Sequence, residues 1–297
     1  MPSLKEVRVR IASVNSTSQI TSAMKMVSAS KLKRAQDAII QMRPFAEKLK
    51  EILDNLISST GSGGSIYAAN RLPEKVLVVL ITSNRGLCGG FNAYATKTAL
   101  NLIRDKYAEQ AKKGNVSIMC VGKKGFDLIR KTTFKVENHN ELWDGLSYAK
   151  ASAVAEEIMK KFTDGEVDRV ELVYNKFKNA ATQILTTEQI LPFHIEIPAK
   201  SAKKVEKTGI RPDYIFEPDE ERIVQEIIPY ALKVGFYRSL LDSNAAEHGA
   251  RMTAMHKATD NAKDLLKALR LSYNKARQAS ITKEILEIVG GAEAINN

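Results

Sequence analysis

Two cysteines, one tryptophan and 6% aromatic residues are little for a chain of 297 residues. Cys88 and Cys120 cannot build a disulfide framework, which excludes a disulfide-stapled secreted domain and points to a reducing compartment. Few aromatics and only 16 glycines lean away from an all-β sandwich and towards helix. No stretch approaches about 20 uncharged apolar residues, so nothing is expected to span a bilayer. The opening MPSLKEVRVR lacks the apolar run of a secretory signal.

What is present suffices for a core. Hydrophobic residues make up 44% and charged residues 27%, which excludes a mainly disordered chain. The length allows one large domain or two ordinary ones. Lys and Arg number 45 against 34 acids, a net charge of +11, so an anionic partner is expected: nucleic acid, an acidic protein surface or lipid headgroups.

The first 57 residues hold no glycine and, beyond Pro2, only Pro44. Alternating steps of three and four from Leu4 reach Val7, Ile11, Val14, Ser18, Thr21, Lys25 and Ser28. They continue through Leu32, Ala35, Ile39, Met42, Ala46, Leu49, Leu53 and Leu56. A heptad seam sustained this far predicts a coiled-coil helix over 1–57, ~80 Å long. Pro44 should kink it. The four non-apolar seam positions fall together in the middle. From Asp219, a plausible N-cap, a second long helix runs to a natural stop at Gly290-Gly291. Its seam reads Met255, Thr259, Ala262, Leu266, Leu269, Tyr273 and Ala276, then slips by five residues to Ile281 and resumes at Ile285 and Ile288. Such a slip can end the pairing of two strands. The economical solution is an antiparallel pair of 1–57 with 219–297; the bland one packs each helix on its own globule.

Between them the period changes. Ser58–Ser65 reads as a flexible linker. Lys75–Thr82 is a β-branched run typical of a strand covered on both faces. Further strands are expected at Val116–Val121, Arg169–Phe177 and Thr182–Leu191, the last two as a pair. Helices are expected over Asn92–Lys112, Lys124–Lys131 and Ser147–Phe162. Alternating strand and helix predict a mostly parallel α/β sheet inserted at 70–215. Lys200–Lys207 reads as a mobile loop, and Asp213–Phe216 as a return to the sheet.

Chemical motifs are weak. Gly86–Gly90 fits neither GxGxxG nor GxxxxGK[ST], and Val121–Gly125 misses the phosphate-loop spacing, so structural turns are expected. Cys88 has no His or Asp that spacing pairs with it. His139, His194, His248 and His256 show no metal-ligand spacing; His248 and His256 lie two turns apart on one helix and read as solvated. No catalytic constellation, metal site or cofactor site emerges. The polar gap at Thr17–Lys31 is either a local register correction or contact with a second partner. Met24 and Met26, read as exposed, suit adaptable contacts, and Lys31, Lys33 and Arg34 suit an acidic one. The apolar tip of Ile281, Ile285, Leu286, Ile288, Val289 and Ile295 must be covered by something.

These stretches carry a resemblance. Ile20–Val27, Thr82–Asn92, Arg251–Met255 and Tyr273–Thr282 match, in order, signatures of the γ subunits of F-type ATP synthases. Asn84 stands where many members carry Asp, the tail after Gly291 is idiosyncratic, and the regulatory cysteine pair of chloroplast members is absent. The resemblance implies a Rossmann-like α/β domain at the foot of an antiparallel coiled coil. It implies a rotor without catalytic site, metal or cofactor, sleeved by the α and β subunits of a hexamer. The foot would meet the ε subunit and the membrane c-ring, peripheral to the cytoplasmic face of a bacterial inner membrane. Carried over residue by residue, it implies that Met24 and Lys25 face an acidic loop of a β subunit. Arg251, Gln278 and Thr282 would contact the hexamer, and Ile281, Ile285, Ile288 and Val289 would form a bearing. Two other classes stand beside it: a nucleic-acid binder using the basic arm, without interleaved aromatics to support it, and a nucleotide-dependent enzyme resting on the α/β insert.

Overall fold

The computed structural model describes residues 3–60, 66–69, 71–193 and 220–296. It divides into two compact units: Met1–Ser30 with Arg251–Asn297, and Lys31–Ala250. Helix α1 (Leu4–Thr60) and the last helix, α6 (Glu220–Asn296), each run through both.

In the first unit the two helices are antiparallel. Arg8 meets Tyr273, Thr21 meets Thr259 and Lys25 meets His256, so one helix descends as the other climbs. The stepping pattern names the contact face: Val7, Ser18, Thr21 and Ser28 are buried, and Leu4, Ile11, Val14 and Lys25 are half-buried. Opposite them, Met255, Thr259, Ala262 and Leu266 are buried. A capping box starts α1, with the Glu6 amide donating to Ser3 Oγ and the Ser3 amide donating to Glu6 Oε2.

The second unit holds a five-stranded sheet. Its strands are β1 (Val76–Ile81), β2 (Val116–Val121), β3 (Lys135–Asn138), β4 (Arg169–Phe177) and β5 (Gln183–Leu191), in the order β3-β2-β1-β4-β5. All pairings are parallel except β4 with β5. Helices α2 (Phe91–Lys106), α3 (Ala108–Lys112), α4 (Lys123–Ile129) and α5 (Tyr148–Thr163) connect them. β1 is buried throughout, and its alternation feeds two cores. Val76, Val78 and Leu80 meet Ala95, Ala99 and Ile103 of α2. Leu77, Val79 and Ile81 join Ala155, Ile158 and Phe162 of α5, together with Leu53 of α1 and Ile228, Leu232 and Phe236 of α6.

Several expectations need correction. α6 does not stop at Gly290-Gly291 but continues to Asn296. Neither glycine takes a positive φ, so neither forms a left-handed cap, and a helical glycine costs only about 1 kcal/mol against alanine. Ser58–Thr60 belong to the last turn of α1 rather than to a linker. The helix expected over Asn92–Lys112 breaks at Tyr107, whose φ of −127 leaves the helical region and lets its ring enter the core. β3 has no apolar run to announce it. Pro44 lies inside α1 and Pro229 inside α6, and neither ends its helix. Asp219, Lys200–Lys207 and Asp213–Phe216 lie outside the described residues.

Candidate partner-contact surfaces

The polar gap is part of the helix seam. The Thr259 hydroxyl lies 2.8 Å from Thr21 Oγ1, Thr21 donates to the Ser18 carbonyl, and Ser28 donates to the Met24 carbonyl. Small hydroxyl side chains thus satisfy one another where a simple coiled coil would bury leucine. The apolar residues displaced from the seam turn outward: Ile20 is 57% exposed, Val27 57% and Met26 69%. Met24, expected to be exposed, is half-buried, because it sits on the shoulder between seam and flank. Lys25 reaches across to His256, their nitrogens 3.4 Å apart.

Towards its C-terminal end α6 outlasts its partner. α1 starts at Leu4, only one turn before Arg8, and from Ile281 to Ala292 every residue of α6 is exposed. Ile281, Ile285, Ile288 and Val289 recur at helical spacing and form one apolar stripe, with exposures from 47% to 72%. On the polar side Lys283 pairs with Glu287, and Thr282 donates to the Gln278 carbonyl. A contiguous apolar stripe of this kind marks an interaction site. Arg251 is buried and already partnered within the chain, whereas Gln278 and Thr282 are exposed.

In the sheet unit, both glycine-rich segments serve the fold. The Asn92 carboxamide accepts from the Ser83 amide and donates to Ser83 Oγ and Cys88 Sγ, closing the loop after β1. Cys88 and Phe91 pack against Ala246 of α6. The segment that follows the central strand, on the side where open α/β sheets place ligands, thus packs on α6. A Cβ on Gly122 (φ +125) would stand 2.1 Å from the Thr82 carbonyl oxygen, and Gly125 donates its amide to Thr82 Oγ1. Burial pushes the Cys120 thiol up to about 12, which keeps it protonated and inert.

Spacing gave no sign of the grouping of Glu137, His139 and Glu157, whose ligand atoms lie within 4.8 Å of one another. The Lys161 ammonium stands 2.5 Å from Glu137 and 3.0 Å from Glu157, already occupying the place of a cation. Although burial lowers it, hydrogen bonds to both carboxylates hold the Lys161 pKa above its ordinary value. His248, expected to be solvated, is half-buried and has a partner.

Paired terminal helices, an α/β unit and uncovered apolar stripes define a stalk-type subunit, made to be held by other chains. A family model described as ATP synthase matches residues 3–295. The ATP synthase gamma chain of Cytophaga hutchinsonii is 55% identical over 299 residues, covering 100% of both chains. That of Flavobacterium johnsoniae is 54% identical over 297 residues, again covering 100% of both. Among solved structures, a chain of the Tetrahymena thermophila mitochondrial ATP synthase central stalk and c-ring has TM-score 0.58 and 26% identity, over 80% of this chain and 99% of that one. A chain of the Euglena gracilis enzyme, at 23% identity and TM-score 0.69 over 98% and 94%, shares the fold. The chain belongs to the ATP synthase gamma-chain family, the central-stalk rotor subunits of the F-type enzyme.

Proposed function

We propose that the chain is the coupling shaft of a bacterial ATP synthase, with 1–57 and 219–297 forming the shaft and 70–215 the foot. The observation that carries this is the apolar stripe Ile281–Val289 on turns of α6 that stay exposed among the described residues. A bearing needs contact that is smooth and non-directional, and branched aliphatic side chains supply it where ion pairs would not. The sleeve is the hexamer of α and β subunits, with Gln278, Thr282 and Arg251 on the hexamer side. Met24 and Lys25, beside the exposed Ile20, Met26 and Val27, meet an acidic loop of a β subunit. The foot meets the ε subunit and the c-ring. The chain supplies no catalytic group, metal or cofactor. Its asymmetry favours different β conformations in turn, so rotation shifts their populations.

The cationic excess serves acidic protein surfaces and the headgroup region, not nucleic acid. No described helix is long and apolar enough to cross a membrane. In the proposed assembly the chain sits peripherally on the cytoplasmic face of the inner membrane. The test is Met24→Lys in the reassembled complex, read as protons pumped per ATP hydrolysed. The added cation over-stabilises one contact with the acidic loop, so the ratio falls while hydrolysis persists. An unchanged ratio with intact assembly contradicts the contact.

A further inference from the structure

One ring nitrogen at the coil surface has two incompatible neighbours. His256 Nδ1 lies 3.4 Å from Lys25 Nζ of α1 and 3.4 Å from Asp260 Oδ2, one turn along its own helix. An ammonium only donates hydrogen bonds and a carboxylate only accepts them. Nδ1 therefore serves Lys25 when it carries a lone pair, and Asp260 when it carries a proton. Among the described residues, Lys25 from α1 and Asp260 from α6 are the charged groups shown against the ring. The ring is more than half exposed, and neither neighbour is fully buried, so both the exchange and the proton have access to solvent.

We infer that His256 is a proton-controlled tether that decides whether Lys25 is available to an anionic partner. The neutral ring, with its proton on Nε2, accepts from Lys25 and draws the ammonium across the seam. Protonation fills Nδ1, turns that edge of the ring to Asp260 and sets a second positive charge beside Lys25. The ammonium then loses its acceptor and swings to the flank where Ile20, Met26 and Val27 are exposed. Contact between Lys25 and an acidic segment of a partner thus strengthens as the surroundings acidify. This rests on the proposed reading of Lys25 as a partner contact.

The test uses the assembled complex. Amide formation between Lys25 and partner carboxylates, driven by a water-soluble carbodiimide, is quantified by mass spectrometry from pH 8 to pH 6. His256→Asn is the reference, because its carboxamide oxygen offers an acceptor near the position of Nδ1 at every pH, and the common pH dependence of the chemistry cancels. The ratio of wild-type to His256→Asn yield rises about two- to fivefold towards pH 6, the range of a weak exposed charge interaction. His256→Lys gives the higher yield throughout. A ratio that stays level while Lys25 is cross-linked in both proteins overturns the tether and leaves the contact standing. Absence of any Lys25 amide at every pH overturns the contact, and the tether with it.

Discussion

Thr21 and Thr259 are 238 residues apart in sequence, yet their hydroxyl oxygens lie 2.8 Å apart in the buried seam between α1 and α6. Thr21 also donates to the Ser18 carbonyl, and the Thr259 oxygen lies 2.8 Å from the Met255 carbonyl. The pair fixes the register of the helices at the point where the apolar residues leave the seam.

Replacing one hydroxyl removes a partner from the other. Thr259→Val alone should cost about 0.5–1.5 kcal/mol, and Thr21→Val plus Thr259→Val should cost less than the sum of the single changes. Denaturant unfolding of the four proteins of the cycle measures the coupling. Strict additivity contradicts a direct hydroxyl contact.

Asn84 explains itself chemically. Its Nδ2 donates to the Asn140 carbonyl while its Oδ1 accepts from the Lys123 amide, joining the loop after β1 to those after β2 and β3. An ionised Asp keeps the second bond and sets an oxygen against the carbonyl in the first. Asn84→Asp should lower stability by about 1–3 kcal/mol at neutral pH, as an unsatisfied acceptor does. A thermal melt unchanged by the substitution contradicts the assignment.

Much of this was legible beforehand, and the residues show why. The heptad steps from Leu4 to Leu53 all land on buried or half-buried positions, because a seam is a property of period alone. β2 and β4 were legible to the residue because β-branched runs ended by polar turns mark buried strands. β3, with Lys135 and Asn138 exposed and only four residues long, has no such run. Glu171 interrupts an apolar strand yet is only 2% exposed, because Lys106 and Tyr107 both reach its carboxylate from the end of α2. The meeting of Lys25 with His256 depends on the register of two distant helices, which no local pattern specifies.

Asp242 gives a pH dependence. Burial raises its pKa, with Arg238, Lys176 and Arg43 opposing. Its folded value thus lies above its unfolded one, so between the two the folded chain binds more protons. Stability from this group is present at acid pH and is lost as pH rises upward from about 4. Asp242→Asn removes that loss: its melting temperature should exceed that of the wild type at pH 7, with the gap closing towards pH 4. A gap that widens on acidification reverses the sign and contradicts the account.

The apolar tip makes a claim about assembly. Ile285→Asp with Ile288→Asp puts two charges on the stripe, at positions that are exposed among the described residues. The isolated chain should unfold within about 0.5 kcal/mol of the wild type, as surface substitutions do. Reconstituted ATPase complexes should form in lower yield or turn over more slowly. Full assembly and full rate would show that the stripe is not sleeved.

The central claim is that this chain turns inside a stationary catalytic head. The direct measurement anchors the assembled head to a surface, attaches a bead to the α/β unit through a cysteine introduced at the exposed Lys131, and records the bead during ATP hydrolysis. Stepwise rotation in one direction, stopping when ATP is withdrawn, is the predicted result. A bead that stays fixed while the same molecules hydrolyse ATP contradicts it.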